Sequence, residues 1–285
     1  MSTKFLISIA ALAALALGAC ANSGGSRFEY VEKPVEALYN EAADELEKRR
    51  YELAVALFDE VERQHPYSSW ARRAMLMSAF SSYQANDYET ALANIDRFVA
   101  LHPGNVLAPY AYYLRAMCHY EQIRDVGRDQ DITRNALDAL NQVIARYPGT
   151  DYARDAQLKR DLTMDHLAGK EMYVGRYYLR NSQHVAAINR FKNVLANYQN
   201  TTQVPEALHR LVEAYVELGV YDEARATAAV LGYNYPGSVW YEDTYQLLRR
   251  RNALVSNPVT PVALNPERDP ENPETAAVLS EEAPL

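Results

Sequence analysis

The sequence predicts an all-α fold, a solenoid of about five helix pairs, and three recurrences predict it. A proline follows a histidine or tyrosine at His65-Pro66, His102-Pro103, Tyr147-Pro148 and Tyr235-Pro236, each closing a helical pattern, and Tyr198-Gln199 stands at a fifth equivalent place. Twelve residues before each of these five positions is an alanine: Ala54, Ala91, Ala136, Ala187 and Ala224. Larger apolar residues stand mostly eight and five before, at Phe58, Ile95, Leu140, Phe191 and Ala228, then Val61, Phe98, Val143, Val194 and Leu231. Offsets of four and three place all three sets on one helix face.

The N-terminus comes off before any fold argument. Met1 to Lys4 is a short positive region and Phe5 to Leu17 an apolar run of Ala, Leu and Ile. That run is shorter than the roughly 20 residues a membrane-spanning helix needs, so it reads as a cleaved export segment. Leu17-Gly18-Ala19-Cys20 resembles the bacterial lipobox. The resemblance implies that residues 1–19 are a signal peptide, that the Cys20 thiol is acylated, and that Cys20 becomes the first mature residue. Residues 20–33 then form a lipid anchor and linker, with Ser23-Gly24-Gly25-Ser26 too polar and flexible to bury anything. The covalent lipid on Cys20 is the only prosthetic group expected.

The formal charge of −8 argues against nucleic acid, which needs a basic face, and losing Lys4 with the signal deepens the acidity. Once Cys20 is acylated, Cys118 has no disulfide partner and reads as a small core side chain. Residues 256–285 hold six of the thirteen prolines and six acidic residues against Arg268, the composition of a disordered acidic tail.

The repeat itself resembles the tetratricopeptide unit, a helix-turn-helix of about 34 residues, which implies a right-handed solenoid. In unit one, Leu38, Ala42 and Leu46 mark a first helix, while Glu41 and Glu45 stand where apolar residues are usual and predict a solvated end cap. Unit two reads Met75, Ala79 and Tyr83 before Tyr88. The spacings of 37, 45, 51 and 37 residues between anchors give units three and four extra length. In unit three the surplus, Gln122 to Ile132, predicts a long polar turn. In unit four, Tyr152 to Leu167 predicts an additional helix, with the unit's own first helix at about Lys170 to Asn181 carrying Gly175 and Tyr178. Unit five reads Leu208, Leu211, Val212, Tyr215 and Gly219 before Tyr221.

No enzymatic constellation emerges. The six histidines include no pair at zinc-helix spacing, no glycine loop precedes a helix, and Cys118 and His119, being adjacent, diverge on a helix. A non-catalytic binding scaffold without a metal is the reading. Its candidate groove is lined by first-helix tyrosines, Tyr39, Tyr83, Tyr110, Tyr112, Tyr113 and Tyr120, since tyrosine offers contact area and a hydrogen-bonding tip at low entropic cost. Counting from Ala187, Phe191 and Val194 leaves Arg190 on the outward part of its helix beside Asn189.

The lipobox, the five units, the polar insertion and the stretch Lys170-Glu171-Met172-Tyr173-Val174-Gly175-Arg176-Tyr177-Tyr178, followed by Ala186-Ala187-Ile188-Asn189-Arg190-Phe191, together resemble the BamD family, tetratricopeptide lipoproteins of the outer-membrane β-barrel assembly machine. The departures are the proline-rich tail and Gln199. The resemblance implies an outer-membrane lipoprotein facing the periplasm. Residues 34–150, units one to three, would receive unfolded outer-membrane proteins at Tyr39, Tyr83, Tyr110 and Tyr113. Residues 151–255, units four and five, would dock on the periplasmic domains of the barrel subunit BamA through Arg190, Asn189, Glu171 and Tyr177, beside other assembly-machine lipoproteins. A tetratricopeptide lipoprotein that scaffolds envelope-constriction or peptidoglycan enzymes is the alternative.

Overall fold

A computed structural model of the chain describes residues 32–253, so Cys20, the signal segment and the acidic tail lie outside the described residues. Those residues form eleven α-helices and, among them, no strand. In chain order they are α1 (Val35–Glu47), α2 (Tyr51–Gln64), α3 (Ser69–Gln84), α4 (Tyr88–Leu101), α5 (Ala108–Tyr120), α6 (Asp131–Arg146), α7 (Asp151–Arg180), α8 (His184–Asn197), α9 (Val204–Glu217), α10 (Tyr221–Asn234) and α11 (Val239–Arg250). Along the chain they follow as five first-and-second helices and a final single helix. Contacts divide the chain into two compact units meeting at Ser81 and Ser82.

In the first unit, α1 packs on α2 and buries Leu38, Ala42, Ala54, Phe58, Val61 and Ala74. Glu45 departs from the expected solvated edge. Its side chain is only 11% exposed, because Arg50 at 2.5 Å and Lys48 at 3.1 Å neutralise it beside the turn. Lys33, just before α1, is tied down at both backbone groups: its N–H donates to Gln64 Oε1 at 3.1 Å and its carbonyl lies 2.9 Å from His65 Nε2.

The second unit runs from the end of α3 to Ala253, each helix from α4 on packing against the next. The alanines found by counting back are fully buried in every second helix, as are Ile95, Leu140 and Phe191 one turn on, and Phe98, Val143, Val194 and Leu231 after that. Each second helix then ends alike. The N–H of His65, His102, Tyr147, Tyr198 and Tyr235 still bonds back four residues, with φ between −130° and −135°. A proline next cannot continue the helix, lacking the N–H. Tyr198 makes the same turn without one, and there Thr201 returns both its N–H (3.2 Å) and its Oγ1 (2.8 Å) to the Tyr198 carbonyl, as Thr150 does to that of Tyr147.

The turns inside the pairs share a different device. Arg49, Asn86, Ser182 and Gly219 have positive φ, and the two N–H groups there return to carbonyls of the last helical turn, as with Ser182 to Leu179 (3.0 Å) and Gln183 to Tyr178 (2.9 Å). This is the Schellman closure, which asks for a left-handed residue. Pair three lacks it and uses the long polar turn, residues 121–130, anchored by the buried Gln130 and by Lys170 Nζ donating to the carbonyls of Gly127 and Arg128.

Unit four differs from the sequence reading. The expected additional helix and the unit's own first helix are one helix, α7, about 45 Å long at 1.5 Å per residue. Leu167, Ala168 and Met172 stay buried through the expected break, and one helical glycine, Gly169, costs only about 1 kcal/mol against alanine. Its contacts run from α5 and α6 to α8 and α9, so α6 and α7 pack together across residue 150. Near its middle, Asp165 accepts from the N–H (2.8 Å) and Oγ1 (2.6 Å) of Thr202, fixing the start of α9. Helix α11, which the repeat count did not predict, buries Thr244 and Leu248.

Candidate functional site

Two places carry most of the predicted binding residues. The first is a tyrosine cluster in the second unit. Tyr83 packs edge-on against Tyr88 with ring centres 5.9 Å apart, and its hydroxyl lies 3.5 Å from Glu121 Oε1. Burial pushes its phenol up to about 12, with Glu121 adding to the effect. On α5, Tyr110 and Tyr113 face the same ring, Tyr152 on α7, at 5.8 and 5.2 Å. Burial raises both phenols, and Tyr113 also donates to Asp155 Oδ2 at 2.6 Å. Burial works to raise the Asp155 carboxyl too, but the bonds from Lys159 and Tyr113 outweigh it and hold the carboxyl below its ordinary value. The cluster therefore presents neutral hydroxyls and ring edges. Cys118 is buried in the same helix with its thiol pushed up to about 12, which removes the thiolate a nucleophile needs.

Two other candidates sit differently. Tyr112 is buried at 8% exposure, with the Arg146 guanidinium over its ring at 4.9 Å and donating to its hydroxyl at 3.0 Å, so it is packing. Tyr39 belongs to the first unit, where its ring meets Phe58 at 5.3 Å and Trp70 at 4.9 Å.

The second place is an open cleft of ≈ 520 Å³ between α7 and α8, lined by Glu171, Tyr178, Asn189, Arg190, Lys192 and Asn193, with Ala186 and Ala196. Its walls are close because of Gly175: a Cβ there would lie 2.4 Å from Phe191 Cε1. With Phe191 seated on Gly175, its neighbour Arg190 reaches α7 and pairs with Glu171 at 3.1 Å. The Arg190 side chain is 44% exposed and that of Glu171 17%. The outward Arg190 thus has an acidic partner in its own chain, which helical counting could not reveal because the pair bridges two helices. Asn189 is exposed, and Tyr177 is 55% exposed with its ring edge-on to Tyr178 at 5.8 Å.

Residues 31–231 match the family described as YfiO, outer membrane lipoprotein. The outer membrane protein assembly factor BamD of Caulobacter vibrioides is 52% identical over 240 residues, covering 84% of this chain and 79% of its own. The chain belongs to the BamD family. The BamD of Rickettsia prowazekii is 44% identical over 87% of this chain and 98% of its own, and that of Neisseria gonorrhoeae 35% identical over 81% and 92%. The range matched to the family holds both the tyrosine cluster and the cleft of this BamD-family chain, and ends inside α10, before α11.

Proposed function

We propose that this chain is a lipid-anchored, periplasm-facing scaffold of the outer-membrane β-barrel assembly machine, without catalytic activity. It recognises unfolded outer-membrane proteins through the tyrosines of its first three pairs. It docks on the periplasmic domains of BamA through the α7–α8 cleft, alongside other lipoproteins of the machine. Cys20, acylated after removal of residues 1–19, holds it to the outer membrane.

The observation that carries the reading is its similarity, over most of its length, to relatives named as outer membrane protein assembly factors. The geometry supports it. The tyrosine cluster offers apolar edges with hydrogen-bonding tips, suited to extended, aromatic-bearing peptides. In the cleft, Arg190 is half exposed and already oriented by a carboxylate, so a partner carboxylate can replace Glu171 without ordering a free side chain. Arginine suits such an exchange because its planar fork binds both oxygens.

Cross-linkable residues test the client half. Placed at Tyr83 or Tyr113 they should capture unfolded barrel precursors, whereas capture only from second-helix positions such as Lys192 contradicts it.

A further inference from the structure

A separate cleft lies between the end of α7 and α9. Arg176 and Arg180, one turn apart, and Arg210 line a space of ≈ 310 Å³ with Leu179 and Glu213. Two of the guanidiniums are held in place. Glu206, 15% exposed, takes Arg176 at 2.9 Å and Arg210 at 3.3 Å, while Glu213 takes Arg210 at 2.9 Å. Trp240 of α11 lies 5.4 Å from the Arg210 guanidinium and packs against it. Arg180 is different: it is exposed, and its side chain makes no ion pair or hydrogen bond among the described residues. Three arginines and two glutamates leave the cleft one net positive charge, with a planar fork free to take a carboxylate.

The chain carries carboxylates within reach. Ala253 is buried, and its carbonyl accepts from Arg225 at 3.1 Å, which fixes where the remaining residues depart. Helix α11, with Trp240 near its start at the cleft and Ala253 just past its end, is only about 18 Å long. The 14 residues from there to Glu267 extend to about 46 Å, more than enough to return. Beyond Glu267 come Asp269, Glu271, Glu274, Glu281 and Glu282, against Arg268 alone.

We propose that the acidic segment, residues 267–282, folds back onto the cleft of Arg176, Arg180 and Arg210, with a carboxylate on Arg180. One net charge binds a free acidic peptide weakly. Tethering places this peptide at an effective concentration of about millimolar order, which lets a weak contact form within the chain. The contact weakens as salt screens it.

The test uses the full lipid-free chain (Cys20→Ser) with a photo-cross-linking residue at Val278 and peptide mapping of the products. The expected cross-links are intramolecular, to the end of α7 or the start of α9. They fall about fivefold in Arg180→Glu, an exposed change that leaves the circular dichroism intact, and likewise in molar salt. Glu274→Gln with Glu281→Gln and Glu282→Gln removes them as well. Cross-links spread over the surface, found only between molecules, or unchanged by either set of substitutions overturn the proposal. The experiment needs no partner, so it stands apart from docking on BamA.

Discussion

The Arg190–Glu171 pair separates a docking residue from a merely solvated one. As a half-exposed ion pair it contributes about 0 to 1 kcal/mol to folding, so Arg190→Ala should leave the helical melting curve nearly unchanged. If a BamA carboxylate takes Arg190 in a desolvated contact, the same change costs about 2 to 5 kcal/mol of binding, partly because that carboxylate is left unpaired. Calorimetry with the periplasmic domains should then show at least a tenfold loss for Arg190→Ala, a tenfold change being about 1.4 kcal/mol. Equal affinity of the two proteins returns Arg190 to the solvated surface. Glu171→Gln frees Arg190 of its internal competitor and is expected to bind no worse. Gly175 makes an opposite forecast, about stability and not binding. Its absent Cβ would press into the fully buried Phe191 ring, so Gly175→Val overpacks α7 against α8 and should cost about 1 to 3 kcal/mol in denaturant unfolding. A stability unchanged by that substitution would mean the helices separate at no cost.

At the scale of elements, four of the five turns between a first and a second helix close alike. Ser182, Arg49 and Asn86 hold the left-handed conformation that Gly219 holds in pair five, at a cost of about 1 kcal/mol or more for a residue with a Cβ. Ser182→Gly keeps the two returning N–H bonds and should raise the unfolding free energy by up to about 1 kcal/mol. A loss would show that its side chain has a task of its own. The second-helix ladder of Ala, Phe or Ile, and Val was legible in the sequence because its spacing is internal to one helix. What lies between helices was not. Glu45 reads as a solvated edge until Arg50 arrives from the next element, the Glu171–Arg190 pair bridges two helices, and the expected interruption between Leu167 and Lys170 closes where the neighbours of α7 hold it helical. Helix α11 was missed because no proline closes it.

The seat of α11 also depends on pH. His209 bonds Thr244 at 2.8 Å and lies tilted against Trp240 at 5.4 Å, and burial holds its ring below the ordinary histidine value. Unfolded, it takes a proton near pH 6.5; folded, it takes one only at lower pH. Its contribution is therefore whole above about 6.5 and is lost as pH falls below that, with His119 shifted the same way for the same first cause. Unfolding curves at about pH 7 and 5 should show the loss, and His209→Gln should make the difference smaller. A difference that grows in the variant contradicts this account.

Across the whole molecule, the order of a first and a second helix recurs five times along the chain, and the departures fall where a partner, a tether or an end is expected. The long α7 carries a tyrosine of the cluster near one end and the Arg190 cleft near the other, both inside the second unit. The proposed anchor, Cys20, lies before the described residues. With Cys20→Ser, the protein should lose its acyl groups and enter the soluble fraction unless its partners hold it. Mass spectrometry of the mature N-terminus decides this, and an unmodified Cys20 or a different first residue contradicts it. The claim on which the rest depends is membership of a β-barrel assembly machine, and native purification of the intact chain from solubilised membranes tests it most directly. The account predicts co-purification of a large β-barrel protein with periplasmic domains, weakened by Arg190→Glu. Recovery of peptidoglycan hydrolases or constriction proteins, with no barrel subunit, would contradict it.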